Sequence, residues 1–256
     1  MRSVKPKKHL GQHFLRDESI AQSIVESLSP SQDDRVVLEV GPGTGVLSKG
    51  LIEKKMDFYA YDLDEESIDY LKVNYPLHMD RFRYQDFLRL DLSQFEKDVT
   101  IIGNFPYNIS SQLFFQAYDQ RILVKEVVCM IQKEVADRIC SPHGNKVYGI
   151  LSVLLQAFYE VEYLFTVPPH VFDPPPKVNS AVIRLKRNET AELDCDEKLF
   201  KRVVKEGFGK RRKTLRNALK GLNLPTSLTE DKTFDLRAEQ LSVNDFVTLT
   251  KRIGTA

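Results

Sequence analysis

Short apolar runs alternate with amphipathic stretches along most of the chain. The runs are rich in Val, Ile, Phe and Tyr, which predicts buried strands, and the stretches between them have helical spacing. Because strands that alternate with helices form parallel sheets, we predict an α/β fold, a Rossmann-like sheet with helices on both faces. The predicted strands are 35–40, 57–61, 81–85, 99–103, 125–131, 161–166 and 180–186, and the predicted helices are 19–28, 46–55, one starting near 110, one ending near 139, and 150–159.

The alternation stops near residue 187, and the chain beyond it follows another pattern. A polar stretch at 187–196 predicts a linker, and the remainder has helical spacing without strand-like runs. We therefore predict two domains: an α/β domain at 1–187 that begins with a basic arm, and a small all-helical domain at 196–256.

A glycine-rich loop follows the first predicted strand. Gly41, Gly43 and Gly45 precede a predicted helix, where glycines let the backbone turn sharply and let a ligand lie against it. The next strand ends at Asp62, about 20 residues on, the spacing at which an acid meets a ribose hydroxyl pair. The glycine spacing is G-x-G-x-G rather than the G-x-G-x-x-G of dinucleotide sites, so the loop suits an adenosine attached to an amino acid.

Two further strand ends carry groups suited to an adenine. Asp86 follows the third strand and can accept a bond from an adenine amine, and Asn104-Phe105-Pro106-Tyr107 follows the fourth. If the Asn104 side-chain oxygen and the Phe105 carbonyl each accept one N–H of an aromatic amine, its nitrogen can aim a lone pair at a methyl donor. Pro106 stiffens the turn, and Tyr107 can stack on the base. The alternative is an ordinary strand exit, where Asn and Pro are common.

The net charge of +1 conceals an asymmetry. Residues 1–9 and 198–220 hold 14 Lys or Arg and one acid, which leaves 23 basic and 35 acidic residues elsewhere. An acidic body with two basic segments indicates a nucleic-acid face. We predict that Arg211, Arg212, Lys213 and Arg216 contact phosphates, although a run of charges is often a solvated helix face.

A proline-rich loop at 167–177 joins the last two predicted strands. Its five prolines make it stiff, so it can present Phe172 at the mouth of the site, opposite Tyr107 on the other face of the base. We assign Phe172 and Lys177 to RNA binding. A structural corner with Phe172 in the core is the equal alternative.

The composition of the chain bears on its disulfides, metal binding and cellular location. Cys129, Cys140 and Cys195 have neither metal-ligand spacing nor an even disulfide framework, so we expect a reducing compartment, packing roles for the cysteines and no metal. The longest apolar runs are too short to cross a membrane, and no hydrophobic signal core follows the basic N-terminus, which favours a cytoplasmic protein.

The chain resembles the adenine N6,N6-dimethyltransferases of small-subunit ribosomal RNA, the family whose absence confers kasugamycin resistance. The resemblance covers nearly the whole chain, and its last two blocks separate this family from the large-subunit methyltransferases that confer macrolide resistance. The matching blocks are residues 9–15, 39–45, 103–110, 132–135, 171–182 and 208–219. The resemblance implies a class I methyltransferase sheet, S-adenosylmethionine as donor, and two adjacent adenines in a 3′-terminal hairpin loop as acceptors.

The resemblance also implies cofactor contacts, and two of them depart from the commonest pattern. The family often has Asn where His13 stands and Glu where Asp62 stands. The implied partner is the immature small ribosomal subunit, and we expect a monomer. Three alternative functions stay open: a nicotinamide-dependent oxidoreductase, a non-catalytic ribosome assembly factor and a large-subunit RNA methyltransferase. The implied cofactor contacts are His13, Leu15, Gly41, Asp62, Asp86 and Asn104, to which the glycine loop adds Gly43.

Overall fold

The computed structural model describes residues 4–30, 34–210 and 212–255. A seven-stranded sheet with the order β4-β3-β2-β5-β6-β9-β7 forms its centre, and β1 and β8 form a separate two-stranded sheet. The strands are β1 (Phe14–Leu15), β2 (Arg35–Val40), β3 (Phe58–Asp62), β4 (Phe82–Tyr84), β5 (Asp98–Asn104), β6 (Val124–Gln132), β7 (Tyr159–Val167), β8 (Phe172–Asp173) and β9 (Ser180–Arg187). The predicted α/β fold is confirmed.

The sheet is parallel from β4 through β6, and β9 runs antiparallel to β6. Parallel strands bring their carboxyl ends to one edge, and ligands of open α/β sheets bind outside that edge. The register pairs Val40 with Tyr61 and Asp62 with Tyr84, so the loops that follow β2, β3 and β4 leave the sheet side by side. Asn104 is the last residue of β5, next to β2.

Helices connect the strands, and several begin at side chains that satisfy the free N–H groups of the first turn. Asp17 caps α1, Asp64 caps α3, Asp196 caps α7, and Ser242 caps α10. The helices are α1 (Glu18–Glu26), α2 (Val46–Glu53), α3 (Glu65–Asn74), α4 (Ser110–Asp119), α5 (Lys133–Cys140), α6 (Ile150–Gln156), α7 (Glu197–Gly209), α8 (Leu215–Ala218), α9 (Thr226–Thr229) and α10 (Val243–Gly254). No helix in the described ranges is long and apolar enough to cross a membrane.

The chain divides into two compact units, and the division differs from the predicted boundary. The first unit is Met1–Ala136 with Glu162–Arg187, and the second is Asp137–Val161 with Asn188–Ala256. The predicted domains, 1–187 and 196–256, leave α6 in the first. Five consecutive residues of α6, four of them apolar, are buried, and α6 packs on α7 and α10. The helical unit thus takes part of its core from a segment distant in sequence.

Candidate active site

A cleft of about 800 Å³, including its open mouth, lies in the first unit at the carboxyl edge of the parallel strands. The loops after β2, β3, β4 and β5 and the chain before β1 form its walls. The lining residues are Leu10, Gly11, Gln12, His13, Phe14, Val40, Gly41, Gly43, Tyr61, Asp62, Leu63, Gln85, Asp86, Phe87, Asn104, Phe105, Pro106, Tyr107, Asn108 and Ile109.

The glycine loop supplies a bare stretch of backbone in this cleft. Gly41 and Gly43 have φ angles of +69° and +54°, which residues with a Cβ rarely adopt. A Cβ on Gly43 would lie 2.9 Å from the ring of Phe14. Glycine is therefore required at position 43 both for its backbone conformation and for the close approach of the Phe14 ring.

Asp62 places a carboxylate beside this loop. The N–H of Asp64 donates to Oδ1 at 2.9 Å, and the N–H of Gly43 lies 3.4 Å from Oδ2. Burial raises the pKa of Asp62 to about 6, because removal from water penalises the charged form more than the two N–H donors favour it. A carboxylate held in this way can accept hydrogen bonds from a pair of ribose hydroxyls.

Asp86 lies on the same wall, and a repeated pattern accompanies both acids. Its Oδ1 accepts the N–H of Leu88 at 3.0 Å, and its Oδ2 lies 3.4 Å from the exposed Arg89. Each acid is followed by a large apolar residue that lines the cleft, Leu63 after Asp62 and Phe87 after Asp86. Leu63 is 48% exposed although apolar, as expected for a surface that packs on a ligand ring. We did not predict these two residues, although the repeated acid–apolar pair was visible in the sequence.

Asn104 and Phe105, which carry the two predicted acceptors, both line the cleft. The Asn104 Nδ2 donates to the carbonyl of His13 at 2.8 Å, which fixes the side-chain amide and turns its Oδ1 away from that bond. The Phe105 N–H donates to Met130 at 3.0 Å. Within the ranges that the structure describes, neither Asn104 Oδ1 nor the Phe105 carbonyl accepts a hydrogen bond from the protein. Both acceptors predicted from the sequence are thus without a protein partner in the described part of the chain.

Tyr107 and His13 form the adjoining wall. Their rings stack with centroids 5.5 Å apart and an interplanar angle of 29°. The Tyr107 hydroxyl lies 2.6 Å from Ser180 Oγ, and burial raises its pKa. The His13 Nδ1 lies 2.7 Å from the carbonyl oxygen of Pro174. Because a carbonyl oxygen can only accept a hydrogen bond, Nδ1 is the donor in this contact.

Glu39 is a further carboxyl group close to the cleft that we did not predict to act there. It is 1% exposed, its Oε2 accepts from Ser48 at 2.6 Å, and its Oε1 has no partner. Burial raises the pKa of Glu39 to about 7, and the charge of Asp62 adds to the effect.

Two predicted site residues lie in the core instead of the cleft. Leu15 and Phe172 are each 3% exposed, and they pair with each other across β1 and β8. Both side chains belong to the apolar core beside the sheet. Phe172 therefore has no free face for a base here, because the proline-rich loop folds its ring inward. For this residue the structure corrects the RNA-binding prediction and agrees with the structural corner.

The predicted phosphate contacts have different surroundings. Lys177, Arg212 and Lys213 are exposed, and Arg211 lies outside the described residues. Arg216 already has partners in the helical unit: it donates to the carbonyl of Thr229 and pairs with Asp235 at 2.6 Å. Phosphate binding by these residues stays a prediction, and for Arg216 a role in holding the helical unit together competes with it.

Comparison with known protein families identifies the family to which the chain belongs. The family model described as ribosomal RNA adenine dimethylase matches residues 3–254. The chain is similar to proteins named ribosomal RNA small subunit methyltransferase A. It is 54% identical over 255 residues to that of Flavobacterium johnsoniae, with 99% of this chain and 97% of the relative covered. It is 55% identical over 257 residues to that of Cytophaga hutchinsonii, with 99% of both covered.

Two solved structures are similar over most of their length. A dimethyladenosine transferase from Plasmodium falciparum has a TM-score of 0.81 and 25% identity, with 95% of this chain and 98% of that chain covered. The 23S rRNA methyltransferase ErmE has a TM-score of 0.69 and 21% identity, with 93% and 99% covered, a likeness that shows the fold alone. The family match over nearly the full length confirms the resemblance inferred from the sequence. The chain belongs to the ribosomal RNA adenine dimethylase family.

Proposed function

We propose that this enzyme transfers methyl groups from S-adenosylmethionine to the N6 amines of two adjacent adenines in a 3′-terminal hairpin loop of small-subunit ribosomal RNA. The products are N6,N6-dimethyladenosines. We infer that its partner is the immature small subunit, and that it acts as a monomer in the cytoplasm. The observation that carries the proposal is the pair of unused acceptors, Asn104 Oδ1 and the Phe105 carbonyl, beside the Tyr107 ring in the cleft.

The residues of the cleft fit the proposed donor. The bare backbone at Gly41 and Gly43 leaves room for an amino-acid portion, and Asp62 offers a carboxylate to a ribose hydroxyl pair. Asp86 offers an acceptor for an adenine amine, and Leu63 and Phe87 offer apolar contact to its ring. When bound, S-adenosylmethionine would supply an electrophilic methyl group on a sulfonium, from which a neutral thioether departs as a good leaving group.

The chain's own contribution to the reaction is orientation. An aromatic amine is a poor nucleophile because its lone pair is delocalised into the ring. Asn104 Oδ1 and the Phe105 carbonyl each accept one N–H, which holds the nitrogen in a pyramidal geometry with its lone pair out of the ring plane. Once the adenine base has left its stack in the RNA, Tyr107 stacks on it. Positioning of this kind accounts for a large part of a rate enhancement.

No strong general base is needed, because the amine loses its proton after the new bond forms and becomes far more acidic then. The monomethylated amine keeps one N–H, which can still donate to one of the two acceptors during the second transfer. A hairpin-loop base is easier to extrude than a paired one, which suits the proposed substrate.

Asn104→Ala tests the proposal. Removal of one oriented acceptor should raise the barrier by about 3 kcal/mol, a decrease of at least 10²-fold in the single-turnover rate at saturating donor. Donor affinity should fall only modestly. The variant loses the hydrogen bond that Asn104 donates to the His13 carbonyl, but the other residues of the donor site are unchanged. The matched control is Asn74→Ala, which changes an exposed Asn of α3 that does not line the cleft. A near-parental rate in Asn104→Ala would refute the role of Asn104.

The choice of substrate is tested separately. Immature small subunits and large-subunit RNA are offered in parallel with labelled donor. We expect label in the small-subunit RNA alone. Label in the large-subunit RNA would favour the alternative substrate, and donor binding without turnover on either would favour an assembly factor.

A further inference from the structure

The chain before β1 crosses one wall of the cleft while burying little of its own surface. We call Lys7–His13 the arm. Four arm residues, Leu10 to His13, line the cleft, yet none of the 3₁₀ turn Lys8–Leu10 is buried. A segment with so few buried contacts has low local stability and depends on specific polar contacts to stay in place.

The arm is held at both ends. At its carboxyl end, β1 pairs with β8, and His13 bonds to Pro174. Lys7, at its amino end, and Gln12, next to His13, both bind the carboxylate of Asp64. The Lys7 Nζ donates to Oδ1, and the Gln12 Nε2 donates to Oδ2 at 3.1 Å. The Lys7 N–H donates to Gln12 Oε1 at 2.8 Å, which closes a ring of bonds that we call the clasp.

Asp64 is well placed to hold a clasp because it is itself immobilised. Its side chain is fully buried, it accepts from Ser67 Oγ at 2.8 Å, and it caps α3 through the N–H of Glu66. Burial acts to raise the pKa of Asp64, but the hydrogen bonds from Lys7, Gln12 and Ser67 outweigh it and hold the pKa below its ordinary value. The carboxylate is therefore charged at neutral pH.

The same residue touches the proposed donor site through its backbone. The Asp64 N–H donates to Asp62 Oδ1 at 2.9 Å, and Asp62 is the carboxylate assigned to the ribose hydroxyls. Asp64 thus fixes two walls of the cleft at once, the arm through its side chain and Asp62 through its backbone. Nothing in the sequence pattern linked Lys7 to Asp64, which lie 57 positions apart.

We infer that Asp64 is a positioning residue for the methyl donor: through Lys7 and Gln12 it clasps the arm across the donor cleft, so that arm closure and donor binding favour each other. The inference rests on the proposed function, because it takes the cleft to be the donor site. Coupling of this kind is reciprocal: the factor by which the clasp tightens donor binding equals the factor by which donor binding favours the clasped arm.

Lys7→Met tests the clasp directly, since Lys7 does not line the cleft and keeps most of its apolar stem. Calorimetry with S-adenosylmethionine should show donor affinity about tenfold weaker, because a charge-assisted bond to a buried carboxylate is removed. The single-turnover rate at saturating donor should stay within about twofold of the parent's, since the arm can still close on bound donor. Lys7→Arg should restore affinity, and Lys8→Met, which changes an exposed neighbour outside the clasp, should leave it unchanged.

Trypsin cleavage after Lys8 gives the reciprocal measurement. Cleavage should be faster in Lys7→Met than in the parent without donor, and saturating donor should slow it in both. Lys7→Met leaves the buried Asp64 carboxylate without its main cation, so the variant Lys7→Met/Asp64→Asn removes that charge while an Asn still caps α3. The double variant should bind donor about as weakly as Lys7→Met alone.

The outcomes distinguish failure of the proposed function from failure of the clasp. A parent that binds no S-adenosylmethionine would overturn the proposed function. A parent that binds it, with Lys7→Met or the double variant binding equally well, would overturn the clasp. Parental affinity in the double variant but not in Lys7→Met would also overturn it, because the defect would then come from the unpaired buried charge.

Discussion

Donor binding should depend on pH through Asp62. Burial raises the pKa of Asp62 to about 6 in the free protein, and the ribose hydroxyls require an acceptor there. Below that pKa, donor binding must displace a proton, so the apparent dissociation constant should rise about tenfold for each pH unit. We expect little change between pH 8 and 7, and affinity roughly tenfold weaker at pH 5 than at pH 7.

Stability should respond with the opposite sign. The folded-state pKa of about 6 lies above the ordinary value of 3.8, so the folded protein binds the proton more tightly than the unfolded chain. The contribution of Asp62 to the free energy of unfolding is therefore most favourable below about pH 4 and disappears as pH rises through 6. Asp62→Asn should accordingly be at least as stable as the parent at pH 7, while binding donor more weakly.

Calorimetry with S-adenosylmethionine from pH 5 to 8 is the assay, with Asp62→Asn as the reference. The dependence should flatten in Asp62→Asn. Glu39, whose pKa is about 7, is the other buried carboxyl near the loop, and Glu39→Gln should keep the step near pH 6. Parental affinity that stays constant from pH 7 to 5, or a step that survives in Asp62→Asn, would rule out Asp62 as the group whose proton the donor displaces.

Two further predictions concern RNA binding and the fold. Neutralising Arg212 and Lys213, both exposed, should weaken binding to the small subunit and make the log–log salt slope shallower by roughly 0.7–0.9 for each phosphate that the protein no longer binds; weaker binding with an unchanged slope, measured by filter binding, would mean a structural role. Gly103→Ala should destabilise the fold by about 2 kcal/mol, because its Cβ would lie 2.5 Å from the Val40 carbonyl, whereas Gly209→Ala meets nothing within 4 Å and should be nearly neutral in urea unfolding.

The convergence of the strand-end residues could be predicted from the sequence because each part of the pattern is local. A strand followed by glycines, Asp62, Asp86 and Asn104 needs only parallel pairing to converge, and the alternation of strands and helices supplied that pairing. The helix predicted at 150–159 extends too far: α6 ends at Gln156, and Tyr159 already begins β7. A continuous apolar run suits a buried helix and a buried strand equally.

The contacts that the sequence did not reveal join distant segments through short elements. β1 and β8 are two residues each, too short for any periodicity, yet their pairing buries Leu15 and Phe172. The clasp on Asp64 depends on one lysine and one glutamine that look like ordinary surface residues. The division into units was missed for a similar reason: α6 ends at Gln156, whereas the helices it joins, α7 and α10, begin only at Glu197 and Val243.

We propose that the cleft orients adenine amines for methyl transfer. Mapping the methylated product on the RNA tests this role directly. The protein is incubated with labelled S-adenosylmethionine and unmethylated immature small subunits, and the product is mapped by mass spectrometry of RNA fragments. We expect two adjacent N6,N6-dimethyladenosines in the 3′-terminal hairpin loop with the parent, and none with Asn104→Ala in the same time. Unmethylated RNA with the parent, or methyl groups on another base or position, would contradict the proposed role.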